Sequence, residues 1–424
     1  MPLRRMKQTL QLGVLSALNI GITFLLQWYV LTRLGPGMET DALFAGMTVP
    51  QLVLAVISAS LMHVLVPILA GEDPVRLMND AWSLLILVAG FFGALFVILY
   101  AGAPWWVPLT VPGFDEAGVA LTVALTRIQA VAMVLVGING VQWATYHARQ
   151  RFLWVEFVPI LAGGGGLLFL VWALPRYGIK AAAWATVLRM GAETLLLAPG
   201  MRGRAIRPDL RSPSIRQAWQ RIKPLLLGTA YYKTDPLVDR FLLSMTGSGN
   251  LSLYYLAQQI YGAAGQVINK AVTAPLVPVL SMCHKDGGRT TFRRTYRRFL
   301  TGLAGFCIPG LVVLALVGRP LLGLLVGYGN IGAENVSRLW WIMLWLGGMF
   351  AGGVLGQISS SSFYARGNTV TPTRISMVSY TAYLPAKVIA FYIWGVAGLA
   401  VATSIYCMLN FGLQFYLLEK EVLS

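Results

Sequence analysis

Between Gln8 and Thr32 this chain carries no charged side chain, and runs of that kind return along its whole length. About 20 residues of helix match the ~30 Å hydrocarbon layer of a bilayer. Inside that layer each backbone N–H and C=O must bond within its own segment, so such runs fold as helices. Twelve candidate spans follow, at 8–32, 42–70, 81–103, 118–145, 152–174, 180–199, 223–246, 250–282, 298–326, 336–364, 374–393 and 395–418. Clusters such as GPGMETD, PWWVPLTVPGFDEAG and TGSGN punctuate them. The first run follows MPLRRMK and is too long for a signal-peptide core, so it reads as a retained span.

Composition agrees: 57% of residues are hydrophobic and 12% charged, against about 25% charged in soluble domains. That excludes a soluble enzyme and a disordered protein. Cys283, Cys307 and Cys407 are far apart and His63, His147 and His284 equally scattered, which excludes a disulfide scaffold and leaves no metal-ligand spacing.

The formal charge of +17 would suggest nucleic acid in a soluble chain. Here its distribution gives another reading. Of 33 basic residues, 22 fall in one alternating set of loops and termini and five in the opposite set, Arg33, Arg176, Lys180, Arg319 and Arg338. The positive-inside rule makes the rich side cytoplasmic, and an even number of spans puts both termini there. No nucleic-acid partner is expected.

The chain also repeats itself. Val66-Pro67-Ile68-Leu69 matches Val277-Pro278-Val279-Leu280 at an offset of 211. His147-Ala148-Arg149 matches Tyr364-Ala365-Arg366, and the run from Gly178 to Thr186 matches that from Gly395 to Thr403, both at 217. The expected fold class is an all-α integral membrane protein of about 12 transmembrane helices, in two pseudo-symmetric six-helix lobes around a central cavity. The lobes are 1–200 and 223–424, joined by a basic cytoplasmic linker at 201–222 in which 214–222 has the pattern of an interfacial helix.

Charge inside a span is costly and therefore informative. Arg127, Arg189, Lys233, Arg240, Lys270 and Lys387 lie there, with Glu156, Glu193, Asp235 and Asp239. Arg189 and Glu193, spaced i, i+4, read as a structural ion pair. Glu156 and Lys387 are placed near span boundaries, where snorkelling or pairing accommodates them. The seventh-span segment YYKTDPLVDR is denser, with Pro236 expected to interrupt its backbone bonding. Two readings stand: self-neutralising ion pairs, or a hydrated site in which Lys233, Arg240, Lys270 and Arg127 hold an anionic headgroup. In the second, Asp235 or Asp239 binds a coupling Na+ or H+; no other cofactor is expected.

The segments GPGMETDALFAGMTVPQ and VPILAGE, then PLLLGTAYYKTDPLVDRFLLSMTGSGNLSLYYLAQQI, and later SSSFYARGNTVTPTRISMVS with GVAGLAVATS, resemble the bacterial lipid II flippases of the MurJ (MviN) type. These belong to the multidrug/oligosaccharidyl-lipid/polysaccharide exporter superfamily. The resemblance extends over essentially the whole chain. It implies a flippase, not an enzyme, that moves a polyprenyl-diphosphate-linked sugar from the cytoplasmic to the outer leaflet by alternating access. The cargo is lipid II or a repeat-unit precursor of an exopolysaccharide or capsule. It also implies a bacterial inner-membrane location, a monomer among membrane lipids, and envelope-glycan biosynthetic enzymes as partners. The family's loop-proximal acid corresponds to Asp41. Its first-span arginines fall near Ile20 and Leu26, its basic residue before the second-span proline is Thr48, and its eighth-span Asp-Arg pair is Gln258-Gln259. Gln259 therefore joins the substrate-binding set and Asp41 the coupling or gating set, while diphosphate recognition is expected from the seventh and eighth spans.

The same residues bear on two rival functions. A drug or organic-cation antiporter wants a net acidic cavity, against six basic and four acidic residues in these spans. A polysaccharide polymerase or ligase wants a large outer loop, against the short Pro104–Gly118 with only Asp115 and Glu116.

Overall fold

With no water to satisfy the backbone in hydrocarbon, these apolar runs close their hydrogen bonds internally, and every regular element among the described residues is helical. The structure is a computed structural model. It describes residues 2–70, 73–203, 208–209, 212–213, 215–218, 220, 230–286 and 288–423, with side chains outside 2–10, 58–63, 232, 274, 285–286 and 421–423. In order, the helices are α1 (Pro2–Leu34), α2 (Met38–Leu69), α3 (Pro74–Thr110), α4 (Glu116–Ala148), α5 (Phe152–Tyr177), α6 (Ile179–Leu197) and α7 (Asp235–Ser244). Next come α8 (Asn250–Ile268), α9 (Ala274–Asp286), α10 (Gly288–Val326), α11 (Ala333–Ala365) and α12 (Val370–Leu423).

A π turn, Asn269–Thr273, joins α8 to α9 into one span. It falls just ahead of Pro275, which cannot donate to the preceding turn. α12 is two helices, 370–394 and 396–423, meeting at Gly395. Counted this way the described residues form twelve helical segments. Among the described residues nine helices or joined helices are long and apolar enough to cross a membrane. α6 does not, because Lys180, Arg189 and Glu193 all fall in its nineteen residues. The described part of the seventh span is short, and 221–229 lies outside the described residues.

By packing, the chain divides into two compact units, Met1–Ser248 and Gly249–Ser424. In the first, the end of α2, the start of α3 and the middle of α4 share a core built on Leu65, Leu69, Leu77, Phe92, Met133 and Val141. In the second, α9, the start of α10, and α11 share one built on Leu276, Leu280, Phe292, Val354 and Ile358. Leu65 and Leu69 stand 211 residues before Leu276 and Leu280, and Val141 217 before Ile358, so the sequence repeat is a repeat of core positions. α4 and α11 begin and end at the same offset of 217. α3 and α10 turn large apolar side chains outward, among them Val97, Ile98, Phe306 and Leu316, as lipid-facing helices do.

Backbone conformation repeats as well. Gln150 after α4 (φ 57°) corresponds to Gly367 after α11 (φ 76°). Gly178 between α5 and α6 (φ 59°, ψ −150°) corresponds to Gly395 (φ 57°, ψ −134°). Such φ/ψ values are open to glycine at little cost, which is why Gly stands at both corners.

Of the interfacial helix expected at 214–222 in the basic segment 201–222, residues 215–218 and 220 are described and are helical, and the other four lie outside the described residues. The described part of the basic segment docks on the first unit: Trp82 Nε1 donates to the Met201 carbonyl at 2.8 Å, the Asp209 N–H donates to Ser83 Oγ at 2.8 Å, and Ala218 is buried in the core of α2–α4.

Candidate functional site

α1 carries Ser16, Asn19, Thr23 and Gln27, a spacing of three to four residues that puts their side chains on one helix face. That polar face meets α5 and α6. Ser16 donates to Glu156 Oε2 at 2.9 Å. The Arg189 guanidinium of α6 donates to Asn19 Oδ1 and Thr23 Oγ1, each at 3.0 Å, and its Nε lies 3.4 Å from Glu193 Oε1. Glycines 163 and 166 of α5 make the room: a Cβ on Gly163 would sit 2.7 Å from Ile22 Cγ2, and one on Gly166 3.4 Å from Arg189 Cβ. Below this fork a cavity of about 210 Å³ is lined by Thr23, Gln27, Gln51, Thr186 and Arg189 together with apolar side chains of α1, α2, α5 and α6. The polar seam continues between α4 and α6, where Thr194 donates to Asn139 Oδ1 at 2.7 Å and Gln142 to the Thr194 carbonyl at 3.1 Å. The i, i+4 pairing of Arg189 and Glu193 is as expected. The polar face of α1 and the four-glycine run 163–166 were the readable signals for the rest, and span counting passes over both.

The YYKTDPLVDR segment changes helix type just ahead of Pro236. Lys233 lies in a 3-10 turn, Tyr232–Thr234, and α7 starts at Asp235. Pro236 therefore occupies the first turn of α7, where no intrahelical N–H is called for, and the α-helix starts afresh there after the 3-10 turn, which is the expected interruption. Asp239 and Arg240 are buried, with Asp239 Oδ2 4.0 Å from Arg240 Nη1. Lys233 is exposed and Asp235 half-buried. α7 packs on α2 and α3; after α3 the Gly113 N–H donates to Ser244 Oγ at 3.4 Å. Asp41, in the first turn of α2, is buried.

Arg127 of α4 lies against α3: its Nε donates to the Tyr100 carbonyl at 3.1 Å and its guanidinium stands 4.9 Å from the Tyr100 ring. So Asp41, Arg127, Lys233, Asp235, Asp239 and Arg240 belong to the first unit. The cavity beside Arg189 is lined by none of them. Gln259, half-buried on α8, and Lys270, exposed in the π turn, belong to the second.

Lys387 departs from its expected place near a span boundary. It does not snorkel at a boundary but is fully buried in the second unit, its ammonium 5.0 Å from the Tyr383 ring. Tyr383 stacks on Tyr406 at 4.3 Å and its hydroxyl is 2.8 Å from Thr403 Oγ1. A ring face is an attractive partner for a desolvated cation. Among the described residues no group of His, Cys, Asp and Glu could hold a metal ion.

Known proteins share this architecture and sequence. The chain is 24% identical to a lipid II flippase MurJ of Burkholderia cenocepacia over 407 residues, 91% of this chain and 78% of that protein. It is 20% identical to a probable lipid II flippase MurJ of Vibrio cholerae, over 91% of this chain and 77% of the other. Among solved structures it resembles a lipid II flippase MurJ in an inward closed conformation, at a TM-score of 0.82 and 16% identity, covering 96% of this chain and 87% of that one. It also resembles an inward-facing multidrug resistance MATE family transporter, at a TM-score of 0.77 and 16% identity, covering 97% and 94%. The family described as lipid II flippase MurJ matches residues 30–423, and the chain, a multi-pass membrane protein, belongs to it.

Proposed function

We propose that this protein is a transporter, not an enzyme, that moves lipid II from the cytoplasmic to the outer leaflet of a bacterial inner membrane by alternating access. The observation that carries the reading is the family match over residues 30–423. The residues proposed to recognise the diphosphate are Arg127, Lys233, Arg240, Lys270 and Gln259, of which Lys233 and Lys270 are exposed. Buried Asp41 and Asp239, and half-buried Asp235, serve coupling to Na+ or H+. Both termini face the cytoplasm, by the distribution of the 22 basic residues, and the protein works as a monomer beside the enzymes of envelope-glycan synthesis. Likeness to a MATE transporter concerns the fold, and an antiporter gains no support from the six basic residues in the spans.

The test is a reconstituted flipping assay. Vesicles hold a fluorescent lipid II, and a membrane-impermeant quencher reports the outer leaflet. The protein should render the inner pool accessible, and K233Q/K270Q should slow this without lowering protein yield. If the inner pool stays protected while a polyprenyl diphosphate bearing another glycan is moved, lipid II is the wrong cargo. If neither moves, the transport reading fails.

A further inference from the structure

The first turns of α10 hold Arg289, Arg293, Arg294, Arg297 and Arg298. An open concavity of about 800 Å³ there is lined by Thr290, Arg293, Arg294, Arg297, Arg298 and Thr301. Among the described side chains one carboxylate serves these guanidinium groups. Glu419, near the end of α12, receives Arg297 through two hydrogen bonds at 2.7 and 2.8 Å, Arg293 Nε at 2.9 Å, and the Tyr296 hydroxyl. Arg294 and Arg298 are exposed and have no carboxylate within 4 Å among the described residues. The cleft thus combines two arginines held in place with two others turned outward, and it stays strongly positive after Glu419 is counted.

Its depth along the helix selects the ligand. Exposed apolar side chains on α10 run from Phe306 to Val317 and are broken at exposed Arg319, so a hydrocarbon layer of about 30 Å ending at Arg319 begins near residue 299. Arg298 then lies at the cytoplasmic edge of that layer and Arg294 about one helical turn beyond it. That is the layer of lipid phosphates, within reach of a downward-bent arginine. Arginine suits a phosphodiester because its fork donates two parallel bonds.

We propose that this cleft binds the phosphodiester headgroup of an anionic bilayer phospholipid, with Arg294 and Arg298 making first contact and Glu419 competing with the lipid for Arg293 and Arg297. The site is separate from the residues given to the diphosphate cargo.

The test is lipid titration of the detergent-solubilised full chain by intact-protein mass spectrometry, with phosphatidylglycerol against phosphatidylcholine. R294Q/R298Q should weaken the first phosphatidylglycerol bound by about tenfold or more and leave phosphatidylcholine unchanged. Both side chains are exposed, so folding is not at stake, and an unchanged melting temperature in neutral lipid checks this. E419Q should tighten phosphatidylglycerol, because it removes the internal competitor. Equal phosphatidylglycerol affinity in wild type and R294Q/R298Q would overturn the proposal, as would weaker binding in E419Q. Displacement of the lipid by inorganic phosphate at equal concentration would overturn the assignment to a lipid, since it would mark a site for any free phosphate.

Discussion

Removing the Arg189 guanidinium should unsettle the first unit more than any other single change in its polar seam. Arg189→Met keeps most of the side-chain length but deletes three donors, to Asn19, Thr23 and Glu193. Both charged side chains are nearly buried, 11% and 6% exposed, so Glu193 would be left as an uncompensated buried charge. Breaking a buried pair from one side costs about 3–5 kcal/mol. The adjacent cavity, which Thr23 lines, can admit water to Thr23, which places the expected cost near the lower end, about 3 kcal/mol. Arg189→Met combined with Glu193→Leu removes both charges and should recover most of that loss, to within about 1 kcal/mol of the wild type. The assay is a double-mutant cycle on unfolding in lipid nanodiscs, with hydrogen exchange on α1 and α6 to locate the loss. If the double variant loses as much as the two single variants summed, the residues are not coupled. If Arg189→Met alone is neutral, the seam does not hold α1 to α6.

The two corners give further expectations. Gly395→Ala should cost about 1–3 kcal/mol through backbone strain alone, because a Cβ there meets nothing within 4 Å; differential scanning of the purified protein measures it, and a neutral result would mean that the corner relaxes freely. Gln150 holds φ 57°, where an L side chain is penalised, so Gln150→Gly should raise the melting temperature through a gain of about 1 kcal/mol. Its partner position, Gly367, already has that solution.

The helices and their repetition were readable because both depend on local sums and recurring letters. Hydropathy over twenty residues finds a span whichever way it faces, and the 217-residue offset survives as Gln150 with Gly367 and Gly178 with Gly395. Facing was harder to read. Lys387 sits deep among tyrosines that are neighbours only once α12 folds back at Gly395, so its distance from the span ends said nothing about burial. Pro236 was legible as a break; its form, a 3-10 turn at Tyr232–Thr234 followed by a new α-helix from Asp235, depended on where α7 begins. Arg189 and Glu193 were legible as a pair, since i, i+4 contact is local. Their link to Asn19 and Thr23, more than 160 residues away, needed the glycine-lined contact of α5 to be seen in space.

The corner glycines also determine where the molecule has slack. At Gly178 and at Gly395 one helix ends and the next begins with a single residue between them, so neither pair has a loop to stretch. Each pair must therefore move as one stiff hairpin, like a folded lever, and cannot slide one arm past the other. Compliance along the chain is left to features of another kind, such as the wide turn at Asn269–Thr273 that carries Lys270. A cross-link between the arms of either hairpin should accordingly be silent in transport.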